Sequence, residues 1–275
     1  MLLRDGWRGR PAEEHTDEVV RTEPIDKWVR GRLDGEVVVE SREPLLVWQG
    51  MFPPVYAFRR DEIADGALAP TDPPVRDGFS FFGPQVPVSQ WYDVAAAGRV
   101  LPAAAWTLTD EAVDDRVVLT WEPGLLEWTE EDEPVTGHPR DPHKRVEAIA
   151  SSRQVQVALD GVTLASSDRP VLLFETDLPT RFYLPVEDVR LDLLEPTDNV
   201  SYCPYKGRTD GYWTWPGPPA LPNVAWTYSS PSPAVGAVAG RVAFYNELVD
   251  LTVDGVRQER PESPFSSRDQ RSGGG

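Results

Sequence analysis

Cysteine is nearly absent: the chain has one, Cys203, among 275 residues. An intramolecular disulfide is excluded, and a reducing, cytoplasmic setting is the natural expectation. Lysine is scarce too, occurring only at 27, 144 and 206. Positive charge as a whole falls short, with 27 Lys and Arg against 45 Asp and Glu and a net charge of −18. Nucleic acid and anionic membrane surfaces both require a basic face, so neither partner is expected. The acidity itself reads as a device for staying in solution. Long apolar runs are also missing; stretches such as Pro102 to Trp106 and Ala234 to Ala239 fall far short of the roughly 20 residues a spanning helix needs. Met1-Leu2-Leu3 passes straight into Arg4 and Asp5, so a signal peptide is not expected. There is no phosphate-cradling Gly-rich loop before a helix and no Gly-x-Ser-x-Gly elbow, and no cofactor is expected. His138 and His143 lie in a Pro-rich stretch without partnering Cys or His, which does not complete a metal site.

Proline and tryptophan are plentiful, with 28 Pro and 10 Trp beside 21 Gly. That composition suits many short strands separated by turns around large, rigid packing groups. The strands come in two sets. Leu33-Asp34-Gly35 recurs as Leu159-Asp160-Gly161, an offset of 126 that holds without a gap for about forty positions. Ser41 falls on Ser167, Pro44 on Pro170, Trp48 on Phe174, Tyr56 on Phe182, Ile63 on Val189, and Pro70-Thr71-Asp72 on Pro196-Thr197-Asp198. The register then slips by six, so that Tyr92 meets Tyr212 and Ala105-Trp106-Thr107 meets Ala225-Trp226-Thr227. One slip in a collinear match is the mark of a loop of altered length. The Asp-Gly pairs, each between runs of β-formers, predict tight hairpins. Helix is expected only as single short turns within Asp61 to Leu68 and Pro185 to Leu194. The reading is therefore a mostly β chain of two tandem small β domains, 23–130 and 150–256. A charged, solvated linker is expected over 131–149, with loosely ordered tails at 1–22 and 257–275.

Duplication supplies an internal control. Positions that only support the fold keep their character in both copies, whereas positions that carry chemistry can be lost from one. Glu175 faces Gln49, Tyr183 faces Ala57 and Arg190 faces Ala64. The second copy also has Tyr202-Cys203-Pro204-Tyr205-Lys206-Gly207, where the first has Phe79-Ser80-Phe81-Phe82-Gly83-Pro84, with neither thiol nor amine. A thiol near an ammonium can serve as a nucleophile, and a nearby carboxylate can move a proton or hold the lysine. Cys203, Lys206 and Glu175 are the candidate catalytic groups. Arg190, Tyr183, Tyr205, Tyr212 and Trp213 are candidate substrate contacts, Arg190 and Lys206 for negative charge. Trp213 and Trp215 alternate along one strand, which leaves a face for a ligand. Bland readings stand beside these: Cys203 as a small buried hydrophobe, Lys206 as solvated surface, and Glu175 paired with Arg190 to close a sheet edge.

The second copy resembles the bacterial domain of unknown function 427 family. The resemblance rests on Asp160-Gly161, Glu175, the run from Arg181 to Arg190, Cys203-Pro204-Tyr205-Lys206-Gly207, Val224 to Tyr228 and Val242 to Tyr245. It spans about residues 150–256, and the first copy is a degenerate version. It implies a compact, tent-like two-sheet β module with the Cys-Pro-Tyr-Lys-Gly run lining a pocket. Some classifications give the family a nucleotidyltransferase-like label, but the chain lacks the Gly-Ser and paired-aspartate signature of well-known nucleotidyltransferases. The expected ligand is a small polar or anionic molecule bound in the second copy; if the chain is an enzyme, the expected chemistry is transfer through Cys203 and Lys206. The competing expectation is a non-catalytic binding or interaction module.

Overall fold

The computed structural model describes residues 20–50, 52–75 and 82–266. Phe79-Ser80-Phe81, compared above with the Cys203 region, lies outside the described residues. The described chain forms two compact units, one ending at Asp141 and the other beginning at Pro142.

The first unit holds β1 (Val20–Pro24), β2 (Val29–Leu33), β3 (Glu36–Ser41), β4 (Leu45–Gln49), β5 (Val55–Arg59) and β6 (Leu68–Thr71). It continues with β7 (Val88–Ala96), β8 (Arg99–Leu108), β9 (Arg116–Leu119), β10 (Glu127–Glu130) and β11 (Glu133–Val135). The second unit holds β12 (Val146–Ala150), β13 (Val155–Leu159), β14 (Val162–Ser167), β15 (Val171–Glu175), β16 (Arg181–Pro185), β17 (Glu195–Thr197) and β18 (Tyr202–Cys203). Then come β19 (Gly207–Arg208), β20 (Gly211–Trp215), β21 (Leu221–Thr227), β22 (Arg241–Phe244), β23 (Asp250–Val253) and β24 (Val256–Arg257).

Each unit packs a seven-stranded antiparallel sheet on a four-stranded one. The orders are β1-β4-β5-β9-β8-β7-β6 with β11-β10-β2-β3, and β12-β15-β16-β22-β21-β20-β17 with β14-β13-β23-β24. The two lists correspond strand for strand. Even irregularities repeat at the same offset: a register shift after Gly31 and after Val157, and a lone bridge at Val39–Ile63 and at Ala165–Val189. Asp34-Gly35 and Asp160-Gly161 hold positive φ at both residues, the conformation that tight hairpins demand. Short helical turns fall at Arg60–Glu62, Val186–Asp188 and Leu191–Leu193, and, outside the two expected stretches, also at Pro233–Val238 and Pro264–Ser266. No helix among the described residues is long and apolar enough to cross a membrane.

Alternation marks strands with one wet face: Val155, Val157 and Leu159 turn inward while Gln156 is exposed. The central strands of the large sheets are covered on both sides and read as continuous apolar runs, as in Val171-Leu172-Leu173. Between the sheets of the second unit lie Leu159, Leu164, Leu184, Val224, Phe244 and Leu251. The matching space of the first unit is filled by more aromatic groups, with Trp121 and Trp128 stacked at 4.3 Å between ring centres. The charged stretch 131–149, expected as a solvated linker, contributes β11 and the edge strand β12. Backbone pairing to β10 and β15 gives those residues structure that their side chains do not advertise. The 257–275 tail is likewise partly seated, since Phe265 packs 5.6 Å from the Tyr245 ring.

Candidate active site in the C-terminal unit

The face of the large sheet turned away from the small sheet differs sharply between units. In the first unit it is apolar: Val47, Ala57, Trp106, Leu108, Val113 and Val118 cluster there, all buried. Gln49 is buried at its margin and accepts the Gln85 backbone N–H at 2.8 Å. In the second unit the same strands present Tyr183, Tyr212, Trp226, Tyr228 and Tyr245. Glu175 ends β15 on this face, two residues beyond Leu173, and Arg181 stands two residues before Tyr183 on β16.

The Cys203-Pro204-Tyr205-Lys206-Gly207 run is a hairpin tip, with Cys203 of β18 paired to Gly207 of β19. Gly207 takes φ +96, and a Cβ there would meet the Ser232 backbone nitrogen at 3.4 Å. The Ser232 backbone N–H donates to the Lys206 carbonyl at 2.9 Å and its hydroxyl to the Tyr205 carbonyl. Buried Val235 and Val238 follow in the next helical turn. These bonds aim Lys206 at the sheet. Replacing Gly207 by Ala strains the tip and costs about 1–3 kcal/mol; urea unfolding of the full-length variant checks it.

Lys206 donates to Glu175, and Lys144 reaches the other carboxylate oxygen at 3.5 Å. Two of the three lysines of the chain thus converge on one carboxylate that is 6% exposed. Burial opposes the charge on Glu175, yet the two ammonium groups outweigh it and hold its pKa below the usual carboxylate range. Burial likewise opposes the charge on Lys206, but Cys203, Glu175 and Tyr183 together hold its pKa above that of an ordinary lysine. Both groups are charged across the neutral range.

A second ion pair lies on the same face. Arg181 donates to both oxygens of Glu247, at 2.6 and 2.8 Å, and the side chains are 6% and 1% exposed. Ser263 also donates to Glu247. Trp226, Tyr245 and Phe265 surround the guanidinium within 6 Å. Hydroxyls link the far end: Ser201 shares hydrogen bonds with Tyr212 at 2.8 Å and Thr209 at 3.1 Å.

Of the residues singled out from sequence, Glu175, Tyr183, Cys203, Lys206 and Tyr212 lie together on this face, and Tyr205 borders it with Lys144 5.9 Å from its ring centre. Two lie elsewhere. Arg190 is exposed and paired with Asp192 at 2.7 and 2.8 Å, not with Glu175. Trp213 packs into the core between the sheets together with Trp215. Residues adjacent in a strand point to opposite faces, so a β20 that aims Tyr212 at the site must turn Trp213 away. Lys144, Arg181, Tyr228 and Glu247 were not read from sequence. The repeat held the signal for two: Arg181 falls on Val55 and Tyr228 on Leu108, polar against apolar.

These features define a class: a duplicated two-sheet β module in which one copy keeps a buried polar face and the other has an apolar one. The family model described as "Domain of unknown function (DUF427)" matches twice, over residues 21–114 and 147–255. The chain belongs to that family, in two tandem copies. No curated protein matches the chain.

Proposed function

We propose that the C-terminal unit binds a small polar or anionic molecule beside Cys203 and Lys206, and transforms it with Cys203 as nucleophile. One observation carries this reading: Lys206 and Lys144 meet a single buried carboxylate, Glu175, and Cys203 is among the groups that act electrostatically on Lys206. Two ammonium charges against one carboxylate leave one positive charge over. A substrate anion or the attacking sulfur supplies the balancing charge. Cys203 is half-buried rather than sealed in the core, as a nucleophile must be. The first unit, with Gln49 and Ala57 at the matching positions, is a scaffold.

Alkylation of the single cysteine tests this in the full chain. Native Cys203 is expected to react with iodoacetamide at neutral pH about tenfold faster than in the urea-unfolded chain, and Lys206→Met is expected to abolish that advantage. A native rate no faster than the unfolded rate would leave the non-catalytic binding module as the better description.

A further inference from the structure

Two phenols lie on this face and belong to neither ion pair. Tyr183 is fully buried, and its oxygen accepts the Trp226 indole N–H at 3.0 Å. An oxygen that accepts from the indole has its own O–H left to donate elsewhere. Tyr228 is 4% exposed, and its hydroxyl has no hydrogen-bond partner among the described residues. Packing alone requires neither phenol, since the first unit has Leu108 at the position matching Tyr228 and Ala57 in place of Tyr183. The two rings lie 6.5 Å apart. Cys203 and Glu175 act electrostatically on Tyr228, and Lys206 and Glu175 on Tyr183. Burial pushes the Tyr183 pKa up to about 12 and that of Tyr228 well above a free phenol. At neutral pH both are neutral donors, not acids or bases.

We propose that the reaction is acyl transfer: Cys203 attacks the carbonyl carbon of a small ester or thioester, and Tyr183 and Tyr228 donate hydrogen bonds to the oxygen that becomes negative. This rests on the nucleophilic role of Cys203. A sulfur electron pair forms the S–C bond while the C=O π pair moves onto oxygen. Collapse restores C=O and expels the alcohol or thiol with its bonding pair. The thiol proton passes to water, and the leaving group takes one from water. Water, or a hydroxyl or amine acceptor, then breaks the S–C bond. Glu175 stays ionised between its two lysines throughout. The phenols hold the oxyanion without giving up their protons.

The test uses the full-length protein with p-nitrophenyl acetate as acyl probe and iodoacetamide as control. Alkylation passes through no oxyanion, so it isolates the thiol from the phenols. A burst of nitrophenolate equal to the protein concentration is expected, with the acetyl group mapped to Cys203. Tyr228→Phe removes an unpartnered hydroxyl, so it is expected to melt like the parent. It should lose about a hundredfold in acylation rate while keeping its alkylation rate. Tyr183→Phe should lose acylation in the same way, but it also strands the buried Trp226 indole N–H and should melt below the parent. Acylation at the parental rate in both variants, or equal loss of acylation and alkylation, overturns the phenol role while fast native alkylation still supports the thiol. Native alkylation no faster than unfolded overturns both readings together.

Discussion

Glu247→Ala is expected to destabilise the C-terminal unit by about 3–5 kcal/mol, because it strands a buried guanidinium. Arg181 is 5% exposed and held by two short bonds to one carboxylate. Without Glu247 it is left among the Trp226, Tyr245 and Phe265 rings, which attract a cation but cannot accept its N–H groups in plane. The exposed Arg190–Asp192 pair sets the scale. Its bonds are as short, yet solvent screens both partners, and Asp192→Ala should leave stability close to that of the parent. Hydrogen exchange of the β15 and β16 amides in the full chain reads the C-terminal unit separately. Equal losses in the two variants would refute the burial argument. The pair also gives a pH signature. Burial raises the Glu247 pKa, but the bonds and charge of Arg181 and the Ser263 hydroxyl more than offset this and leave it lowered. A carboxylate with a folded pKa below its unfolded one stabilises the protein above the unfolded value, about 4.3, and the gain is lost as pH falls through the folded value. Glu175 has the same sign. The C-terminal unit should therefore weaken as pH falls below about 4, and less steeply in Glu247→Ala.

Glu175→Gln is expected to be nearly as severe, about 3 kcal/mol or more, because Lys206 keeps its ammonium with no anion beside it. Its side chain is 13% exposed, too little for water to take over the role of Glu175. Glu175→Gln combined with Lys206→Met should recover most of the loss, since a well-packed neutral pair replaces a buried ionic one at little cost. The first unit already shows such a face, with Gln49 hydrogen-bonded to a backbone N–H beside an apolar sheet. Recovery of stability combined with slow, unfolded-like alkylation of Cys203 would separate what the pair does for chemistry from what it does for folding. If the double variant stays as unstable as Glu175→Gln, the unpaired ammonium is not the cause.

The comparison of the two copies located much of the site because it asks where physical character changes. Gln49 against Glu175 and Ala57 against Tyr183 flag groups that a packing role does not need. It misled at Ala64 against Arg190. That contrast is real, but Arg190 sits in a surface turn where Asp192 is its neighbour. Trp213 failed for a different reason: period-two alternation predicts opposite faces for Tyr212 and Trp213 but not which of them meets the inter-sheet core. Lys144 was hidden by its charged, Pro-rich surroundings, although its rarity as one of three lysines was visible.

Local chemistry and repetition determined the mostly β character, the hairpins at Asp34-Gly35 and Asp160-Gly161, the duplication and its unequal polar content. These depend on neighbours in sequence or on an offset that recurs, and both are legible along one dimension. The tertiary structure alone decided that Lys144 and Lys206 share Glu175, that Arg181 pairs with Glu247 66 residues away, and that Tyr183 and Tyr228 share one face with ring centres 6.5 Å apart. Those pairings depend on which face each strand turns outward and which loops fold over it. Both are set by burial of the whole sheet rather than by any residue and its neighbours.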